Sequence, residues 1–318
     1  MKFLVILVAL LINHYWARDR VLPGDAWFER LKSFLHRISQ RFESEDLPQW
    51  RTVLLLLLPS CILLLLLWIV GGVWFGLVSF SVHVALLLIL FDPVHLRTWT
   101  TRYLSLWRAE DFEGAYLCLQ ARFPRLRLEN CDDQEAVHGQ CTRFLLATSF
   151  ERLFAVLFWY LVLGPAGALV YFVLLQMRRA RDRHNSLDFE QPWLTRLEFV
   201  LEWVPARLLG LTFALAGQFE ATFKRLRHYA ADANSSAIEV VLVCANAAIG
   251  RTQSALLIHD SEDEDSVNTL VIDIENEGEP LTTQQYAQQI EDVLNLLDRS
   301  QIIWVSALAL LAVYGIGG

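Results

Sequence analysis

The chain has 318 residues, of which 54% are hydrophobic, and its mean hydropathy is +0.35. This composition excludes an ordinary water-soluble globular protein and predicts an all-α integral membrane protein. Most of the formal net charge of -8 comes from one acidic stretch near the C-terminus, which argues against nucleic acid as a partner.

The first apolar stretch, residues 3–16, reads FLVILVALLINHYW and is short for a membrane span. A helix needs about 20 residues to cross the hydrocarbon core of a bilayer. A cleaved signal peptide is the alternative, but the sequence WARDRVLPG that follows offers no small-residue cleavage site. A retained membrane anchor is therefore favoured.

Residues 52–91 form an uncharged apolar run long enough for two spans. We expect spans at residues 52–70 and 73–91, with the chain turning at Gly71 and Gly72. His83 lies in the second span, where a polar side chain must face other protein. A structural hydrogen bond to a neighbouring helix is favoured over a proton-relay or ligand-binding role.

The segment 92–152 is predicted to form amphipathic helices on the cytoplasmic side. A charged patch divides two groups of apolar and aromatic residues: Tyr103, Leu106 and Trp107 precede it, and Tyr116 follows it. This spacing indicates a pair of amphipathic helices.

The next apolar run, FAVLFWYLVLGPAGALVY, has membrane length but carries Gly164, Pro165 and Gly167 at its centre. Proline removes a helical hydrogen bond and glycine permits a reversal, so a re-entrant hairpin is slightly favoured over a Pro-kinked spanning helix. If the run does span, the chain is expected to cross back within residues 204–219.

Two further helices are predicted before the acidic stretch. The first has a leucine-rich stripe that is expected to be its buried face, and the stripe consists of Leu194, Leu197, Leu201, Val204, Leu208 and Leu211. The second, residues 238–249, is too short to span comfortably and is predicted to be a buried helix.

The C-terminal part begins with an acidic loop at residues 251–281. The run DSEDED from Asp260 lacks the glycine and glutamate positions of a calcium loop, so it is interpreted as a solvated loop. Thr282 and Gln285 form a capping-box pattern that starts an amphipathic helix, which is expected to continue into a last span at residues 302–316.

The basic residues predict the orientation of these spans. The four apolar runs 3–16, 52–70, 73–91 and 302–316 contain no Lys or Arg, and apart from Lys2 every Lys and Arg lies in the segments 17–51, 92–152 and 178–299. An outside N-terminus then places all the basic segments in the cytoplasm, as the positive-inside rule favours. This arrangement requires that residues 154–171 do not change sides.

Sequence motifs for common chemistry are absent: the chain has no phosphate-binding P-loop, no HExxH, no GxSxG and no CxxC. No metal, cofactor or disulfide is expected. Glu198 and Glu202 stand one helical turn apart and are candidates for an acid/base or metal pair, whereas the alternative is ion pairing with Arg196 or Arg207. Arg207 is itself a candidate for binding a phosphate or carboxylate, with snorkelling or a salt bridge as the alternative.

Several segments together resemble one known family. The strings FERLFAVLFWYLVLGPAGALVY, FLVILVALLINHYW, WRAEDFEGAYLCL and EWVPARLLGL are similar, in this order, to the AmpE family of inner-membrane proteins. The resemblance implies a role in regulating inducible β-lactamase. It also implies kinship with the CobD/CbiB membrane proteins of the cobalamin pathway, whose synthases join an amino-alcohol to a corrinoid carboxylate.

The acidic and amide segments of the synthase pattern are largely absent here. They are replaced by residues 147–152 and by the stretch from Leu175 to Arg178. Glu151, Glu198 and Glu202 remain near family positions, and with Arg207 they form the candidate ligand-binding set; no catalytic residue is assigned. The framework that matches the family consists of Phe158, Trp159, Gly164, Pro165, Gly167, Tyr171 and Pro205.

The resemblance implies a multi-pass protein of the bacterial inner membrane that modulates β-lactamase induction linked to peptidoglycan recycling, without synthase activity. The alternative is a membrane enzyme that forms or hydrolyses an amide or phosphate ester on an amphipathic substrate. The expected partners are the lipid bilayer, a muropeptide-like ligand and proteins of the induction pathway. The expected organisation is an N-terminal membrane part (1–91), amphipathic helices (92–152), a family core (153–250), an acidic loop (251–281) and a C-terminal part with an amphipathic helix and the last span (282–318).

Overall fold

The computed structural model describes residues 2–15, 47–70, 76–91, 93–122, 134–184, 192–230, 235–250 and 282–314. Within these ranges the chain is helical and has no strand, as the all-α prediction requires. The predicted turn at Gly71 and Gly72, the acidic loop 251–281 and Cys131 lie outside the described residues, as do the last residues of the first and last predicted spans.

Eleven α-helices and one π-helical turn make up the described part of the chain. In chain order these are α1 (Lys2–Tyr15), α2 (Leu47–Val70), α3 (Leu77–Leu90), α4 (Pro93–Arg108), α5 (Phe112–Arg122), α6 (Gln134–Ser149), the π-helical turn (Phe150–Phe154), α7 (Ala155–His184), α8 (Pro192–Ala216), α9 (Phe219–Ala230), α10 (Ala237–Ala248) and α11 (Thr283–Val313).

Helix α7 is a hairpin rather than one straight rod. Its backbone breaks at Gly164, where φ is 75° and ψ is -161°. A straight helix would separate residues 151 and 178 by about 40 Å at 1.5 Å per residue, yet the Arg178 guanidinium contacts the Glu151 carboxylate. The chain therefore doubles back at Gly164, which is the geometry that a re-entrant segment requires and a kinked spanning helix lacks.

The residues at the break explain this reversal. A positive φ at Gly164 ends the first arm as glycine commonly ends a helix, and Pro165 suits the first turn of the second arm because its missing N–H is not needed there. The arms meet closely at Gly167, where an added Cβ would lie 2.3 Å from Leu163 Cβ. Only glycine fits that contact without movement.

The hairpin lies at the centre of the larger hydrophobic core. Helices α1, α2, α3, α8, α10 and α11 also contribute buried residues to this core. Helix α10 is buried over nearly its whole length, which confirms the predicted buried helix. Its small and β-branched residues allow close packing against α8 and α9.

A second, smaller core joins α4, α5, α6 and the start of α11. Tyr103 and Trp107 are buried and stack with their centroids 5.7 Å apart, so the predicted amphipathic pair is confirmed. Burial raises the pKa of the Tyr103 phenol above its ordinary value, and the hydroxyl stays neutral.

The capping box predicted at the start of α11 is present. Thr282 N donates to Gln285 Oε1 at 2.7 Å, and Gln285 N donates to Thr282 Oγ1 at 3.4 Å.

The apolar helices make this an all-α membrane protein. Three stretches of the described residues have the length and composition of a span: Val137–Arg179, Trp193–Ala216 and Thr283–Leu311. The first contains the reversal at Gly164, so its length does not correspond to one crossing. The third confirms that the capped amphipathic helix continues without a break into the last apolar segment.

The predicted buried face of α8 is wrong in its second half, whereas Leu197 and Leu201 in the first half pack against the core. Leu194 is buried, but the exposed fractions of Val204, Leu208 and Leu211 are each 39%. The inward face carries two carboxylates together with aliphatic and aromatic groups, namely Glu198, Glu202, Ala206, Leu209 and Phe213. In a membrane protein an apolar stripe is stable against lipid, so leucine spacing alone does not identify the protein-facing side.

The predicted partner of His83 is also wrong. Its Nδ1 lies 2.7 Å from the carbonyl oxygen of Ser79, one turn back on the same helix. The ring does face other protein, because it meets the edge of Tyr160 on the hairpin at a centroid distance of 6.2 Å. His83 thus satisfies its polar group locally while contacting the hairpin.

Candidate functional site: an ion-pair cluster at the base of the hairpin

Charged side chains from three elements converge where the two arms of the hairpin end. The π-helical turn before the first arm supplies Glu151, the end of the second arm supplies Arg178 and Arg179, and α8 supplies Glu198 and Glu202. A π-helical turn is rare and often marks a functional site, because its extra residue re-aims the side chains that follow.

Arg178 is the centre of this cluster. One of its terminal nitrogens contacts Glu151 Oε1, and the other donates to Glu202 Oε1 at 2.7 Å. The planar guanidinium is suited to this bridging role because its donors point in fixed, divergent directions. Arg178 therefore ties the beginning of the hairpin, its end and α8 together.

Neighbouring groups complete the cluster. Arg179 Nη2 donates to the second oxygen of Glu151 at 3.1 Å, and the Tyr171 hydroxyl donates to Glu202 Oε1 at 3.2 Å. Arg181 Nη2 reaches Glu198 Oε2 at 3.4 Å, beyond the usual range of a strong charged hydrogen bond. The two carboxylates of α8 are thus held by different arginines of the second arm.

The cluster is largely removed from solvent. Glu151, Glu198 and Glu202 are each 7% exposed, and Arg152 is 3% exposed with its guanidinium 5.3 Å from the centre of the Phe172 ring. Charges at such depth persist only when they are paired, because desolvation costs several kcal/mol per ion. The charges of the cluster are paired with one another. The arginine donors that an anionic ligand would use are occupied by the glutamates of the cluster itself.

The ion-pair partners predicted for the two glutamates of α8 need correction. Glu198 and Glu202 pair with Arg181 and Arg178, not with Arg196 or Arg207. Arg207 lies elsewhere, with its guanidinium 3.9 Å from the centre of the Trp203 ring. It donates to the carbonyl of Tyr229 at 3.1 Å and so caps the C-terminal end of α9, where the last carbonyls lack helical partners.

The framework residues that were singled out in the sequence lie around the same hairpin. Trp159 donates from its indole nitrogen to the carbonyl of Leu201 at 3.1 Å, and Phe158 meets Trp159 edge-on. Tyr171 belongs to the cluster itself. Of the candidate binding set, the structure brings Glu151, Glu198 and Glu202 together and separates Arg207 from them.

Sequence reasoning missed Arg178 and Arg179 as members of the site, because it used them only to orient the membrane segment. The overlooked signal is their position relative to the break: Glu151 stands 13 residues before Gly164 and Arg178 stands 14 residues after it. In a hairpin that reverses at Gly164, positions equally far from the break are neighbours. No group of three or more His, Cys, Asp or Glu residues suited to a metal occurs among the described residues.

Comparison with known proteins agrees with this architecture. A family model described as "Regulatory signalling modulator protein AmpE" matches residues 4–261, which include the whole hairpin and the cluster. The chain belongs to the AmpE family. The match covers most of the chain, so the family assignment applies to the hairpin, α8, α9 and α10 alike.

Two curated relatives of this AmpE family member are named for cobalamin biosynthesis. It is 31% identical over 87 residues to the cobalamin biosynthesis protein CobD of Stutzerimonas stutzeri, covering 27% of this chain and 29% of the relative. It is 31% identical over 86 residues to CobD of Chromobacterium violaceum, covering 27% and 28%. The chain thus matches less than a third of either relative's length, and no solved structure matches it significantly.

Proposed function

We propose that this chain is a regulatory protein of the bacterial inner membrane that modulates β-lactamase induction in response to cell-wall recycling. The family match over residues 4–261 supports a regulatory membrane role, and it is the observation that carries the proposal. The induction pathway and the choice of membrane rest on the known role of the AmpE family.

The ion-pair cluster is the proposed sensing element. A muropeptide-like ligand presents carboxylates, and these compete with Glu151 and Glu202 for the donors of Arg178. Displacing either internal carboxylate loosens the tie between the hairpin and α8. The hairpin and α8 are then in equilibrium between a tied and a released state, and a ligand shifts this equilibrium only by its difference in affinity for the two states. The change of state is transmitted to a protein of the induction pathway.

The proposal excludes the synthase reaction of the CobD/CbiB proteins. The segments that depart from the synthase pattern, residues 147–152 and the stretch from Leu175 to Arg178, end at this same cluster. Their charged groups contact one another, so Glu151 is engaged by two arginines in place of a substrate.

The direct experiment measures β-lactamase activity after a sublethal β-lactam pulse. It compares a deletion strain with strains complemented by the wild type, by Glu202→Gln and by the control Glu291→Gln, whose carboxylate pairs with Arg108 on a different surface. We expect deletion to change induction, and the wild type and the control to restore it. At equal membrane levels Glu202→Gln is expected to restore less than half of the response. Identical induction in every strain would refute the regulatory role.

A membrane enzyme acting on an amide or phosphate ester is the second candidate. The partial similarity to cobalamin biosynthesis proteins and the three clustered carboxylates favour it. Metabolite profiles of the deletion strain discriminate between the two functions. A substrate that accumulates on deletion and is consumed by purified wild type, but not by Glu198→Gln or Glu202→Gln, supports the enzyme; unchanged profiles with altered induction support the regulator.

A further inference from the structure

Helix α9 differs from its neighbours because most of its surface is exposed. Thr222 and Leu226 are buried against the core, while the aromatic residues Phe219 and Phe223 are 52% and 43% exposed. Their rings are stacked, with centroids 5.4 Å apart and planes 8° apart. The apolar stripe of α8 is exposed too, up to Leu215 near the end of that helix, which is 60% exposed and precedes Phe219 by four residues in the chain.

The remainder of the exposed surface of α9 is mainly basic, and Glu220 is the acidic residue of this helix. Lys224, Arg225, Arg227 and His228 are exposed, and with Glu220 they border a groove of about 1260 Å³ that extends to the end of α10. Among the residues that the structure describes, no carboxylate forms an ion pair with Lys224, Arg225 or Arg227. Exposed aromatic groups beside several cations are typical of helices that lie in the surface of an anionic membrane.

The packing of α9 against α8 places these cations relative to the bilayer. The two helices are antiparallel, because Arg207 contacts the carbonyl of Tyr229 and Gly210 lies against the side chain of Leu226. In this register residues 224–227 lie beside residues 209–212 of α8. That part of α8 falls inside its most apolar stretch, so a transbilayer α8 would carry the cations of α9 into hydrocarbon, where uncompensated charges are strongly disfavoured.

We propose that α9 is an in-plane interfacial helix that docks on anionic phospholipids. Phe219 and Phe223 insert at the boundary between headgroups and acyl chains, and Lys224, Arg225 and Arg227 bind lipid phosphates. The C-terminal half of α8 then lies along the membrane surface with its exposed leucines facing the lipid. Charge complementarity and continuity with the apolar stripe of α8 identify the occupant as an anionic bilayer rather than a soluble protein.

The test uses the full chain reconstituted in nanodiscs with an environment-sensitive NBD probe on Phe223→Cys, in a background with Cys61, Cys118 and Cys131 replaced by serine. Nitroxide-labelled phosphatidylglycerol and nitroxide-labelled phosphatidylcholine are compared as quenchers at equal mole fractions. Each cation near an anionic surface strengthens lipid association roughly fivefold. We therefore expect the anionic lipid to quench several-fold more effectively, with a nitroxide near the headgroup quenching more than one near the chain end.

The charge-neutralised variant Lys224→Gln/Arg225→Gln/Arg227→Gln is expected to bring the quenching ratio of the two lipids close to one. The matched control Arg102→Gln removes an exposed cation from α4 and is expected to leave the ratio unchanged. If the triple variant fails to fold, as judged by gel filtration, the single variant Arg227→Gln is expected to lower the ratio by itself.

Three results overturn the proposal. An equal effect of both lipids on the wild type shows that the cations do not select anionic headgroups. Strongest quenching by the nitroxide near the chain end places α9 in the hydrocarbon. Quenching by aqueous iodide with none by either lipid shows that α9 faces water and is available to a soluble partner instead.

Discussion

Trp159 on the hairpin donates a hydrogen bond to the carbonyl of Leu201 on α8, and Leu201 stands four residues before Pro205. In a regular helix the N–H of residue 205 would bond this carbonyl, but proline has no N–H. The indole of Trp159 therefore satisfies the acceptor that Pro205 leaves free. Trp159 and Pro205, two framework residues far apart in the sequence, are therefore coupled through the carbonyl of Leu201.

This relationship predicts coupling between the two positions. Trp159→Phe is expected to lower the free energy of unfolding by about 1–3 kcal/mol, because it leaves a half-buried carbonyl unsatisfied. In a Pro205→Ala background the helix supplies its own donor, so the same substitution is expected to cost about 1 kcal/mol less. A double-mutant cycle of unfolding in detergent measures this difference, and strict additivity would contradict the assignment.

The break at Gly164 predicts an order of tolerance. Gly164→Ala is expected to destabilise the protein by about 1–2 kcal/mol through its left-handed backbone, although no atom lies within 4 Å of an added Cβ. Gly164→Asn is expected to cost about as much as Gly164→Ala, because asparagine tolerates a positive φ in the αL region and the ψ of -161° at Gly164 lies outside it, and Gly164→Val is expected to cost more. Thermal unfolding midpoints in detergent compare the three variants with the wild type. Variant midpoints equal to that of the wild type would show that the positive φ is not required.

Arg178 is expected to be the most sensitive charged residue of the cluster. Arg178→Met leaves Glu151 and Glu202 without their shared partner, and breaking a buried pair in this way costs about 3–5 kcal/mol. Arg108→Met is the matched control, because its pair with Glu291 is half exposed and such pairs contribute about 0–1 kcal/mol. Adding Glu151→Gln and Glu202→Gln to Arg178→Met is expected to recover part of the loss. Similar unfolding curves for the Arg178 and Arg108 variants would argue against a buried cluster.

Adjacent leucines of α8 test the corrected face of that helix. Leu209 is fully buried and Leu208 is 39% exposed. Leu209→Ala is expected to cost about 2–5 kcal/mol, as deletions from a packed core do, whereas Leu208→Ala is expected to cost much less. Unfolding in detergent compares the two variants. A larger loss of stability for Leu208→Ala would mean that Leu208 lies on the buried face of α8, as leucine spacing alone predicts.

The sequence predicted the helical class, the apolar segments, the buried helix α10 and the capped helix α11 because each has a local signal. Composition, length and a capping box do not depend on distant parts of the chain. The inward face of α8 was not predictable in the same way. Its protein-facing side carries Glu198 and Glu202, whereas the more continuous apolar stripe, with Leu208 and Leu211, is exposed.

The cluster was predictable only in part. Its three glutamates were selected from their spacing and from family positions, but their partners depend on a tertiary reversal that no local pattern encodes. Once the chain is folded back at Gly164, Arg178 comes to Glu151. Arg207 was selected for its chemistry, yet the fold uses it to cap α9.

The most direct test of the account determines which side of the membrane each end of the hairpin occupies. Gln140→Cys, before the first arm, and Arg183→Cys, at the end of the second, are introduced separately into the full chain with Cys61, Cys118 and Cys131 replaced by serine. An impermeant maleimide is applied to intact spheroplasts and to inside-out vesicles. The hairpin predicts that both positions react only in the inside-out vesicles. Reaction of Arg183→Cys in intact spheroplasts, with Gln140→Cys protected there, would mean that the segment crosses the membrane and that the chain does not reverse at Gly164.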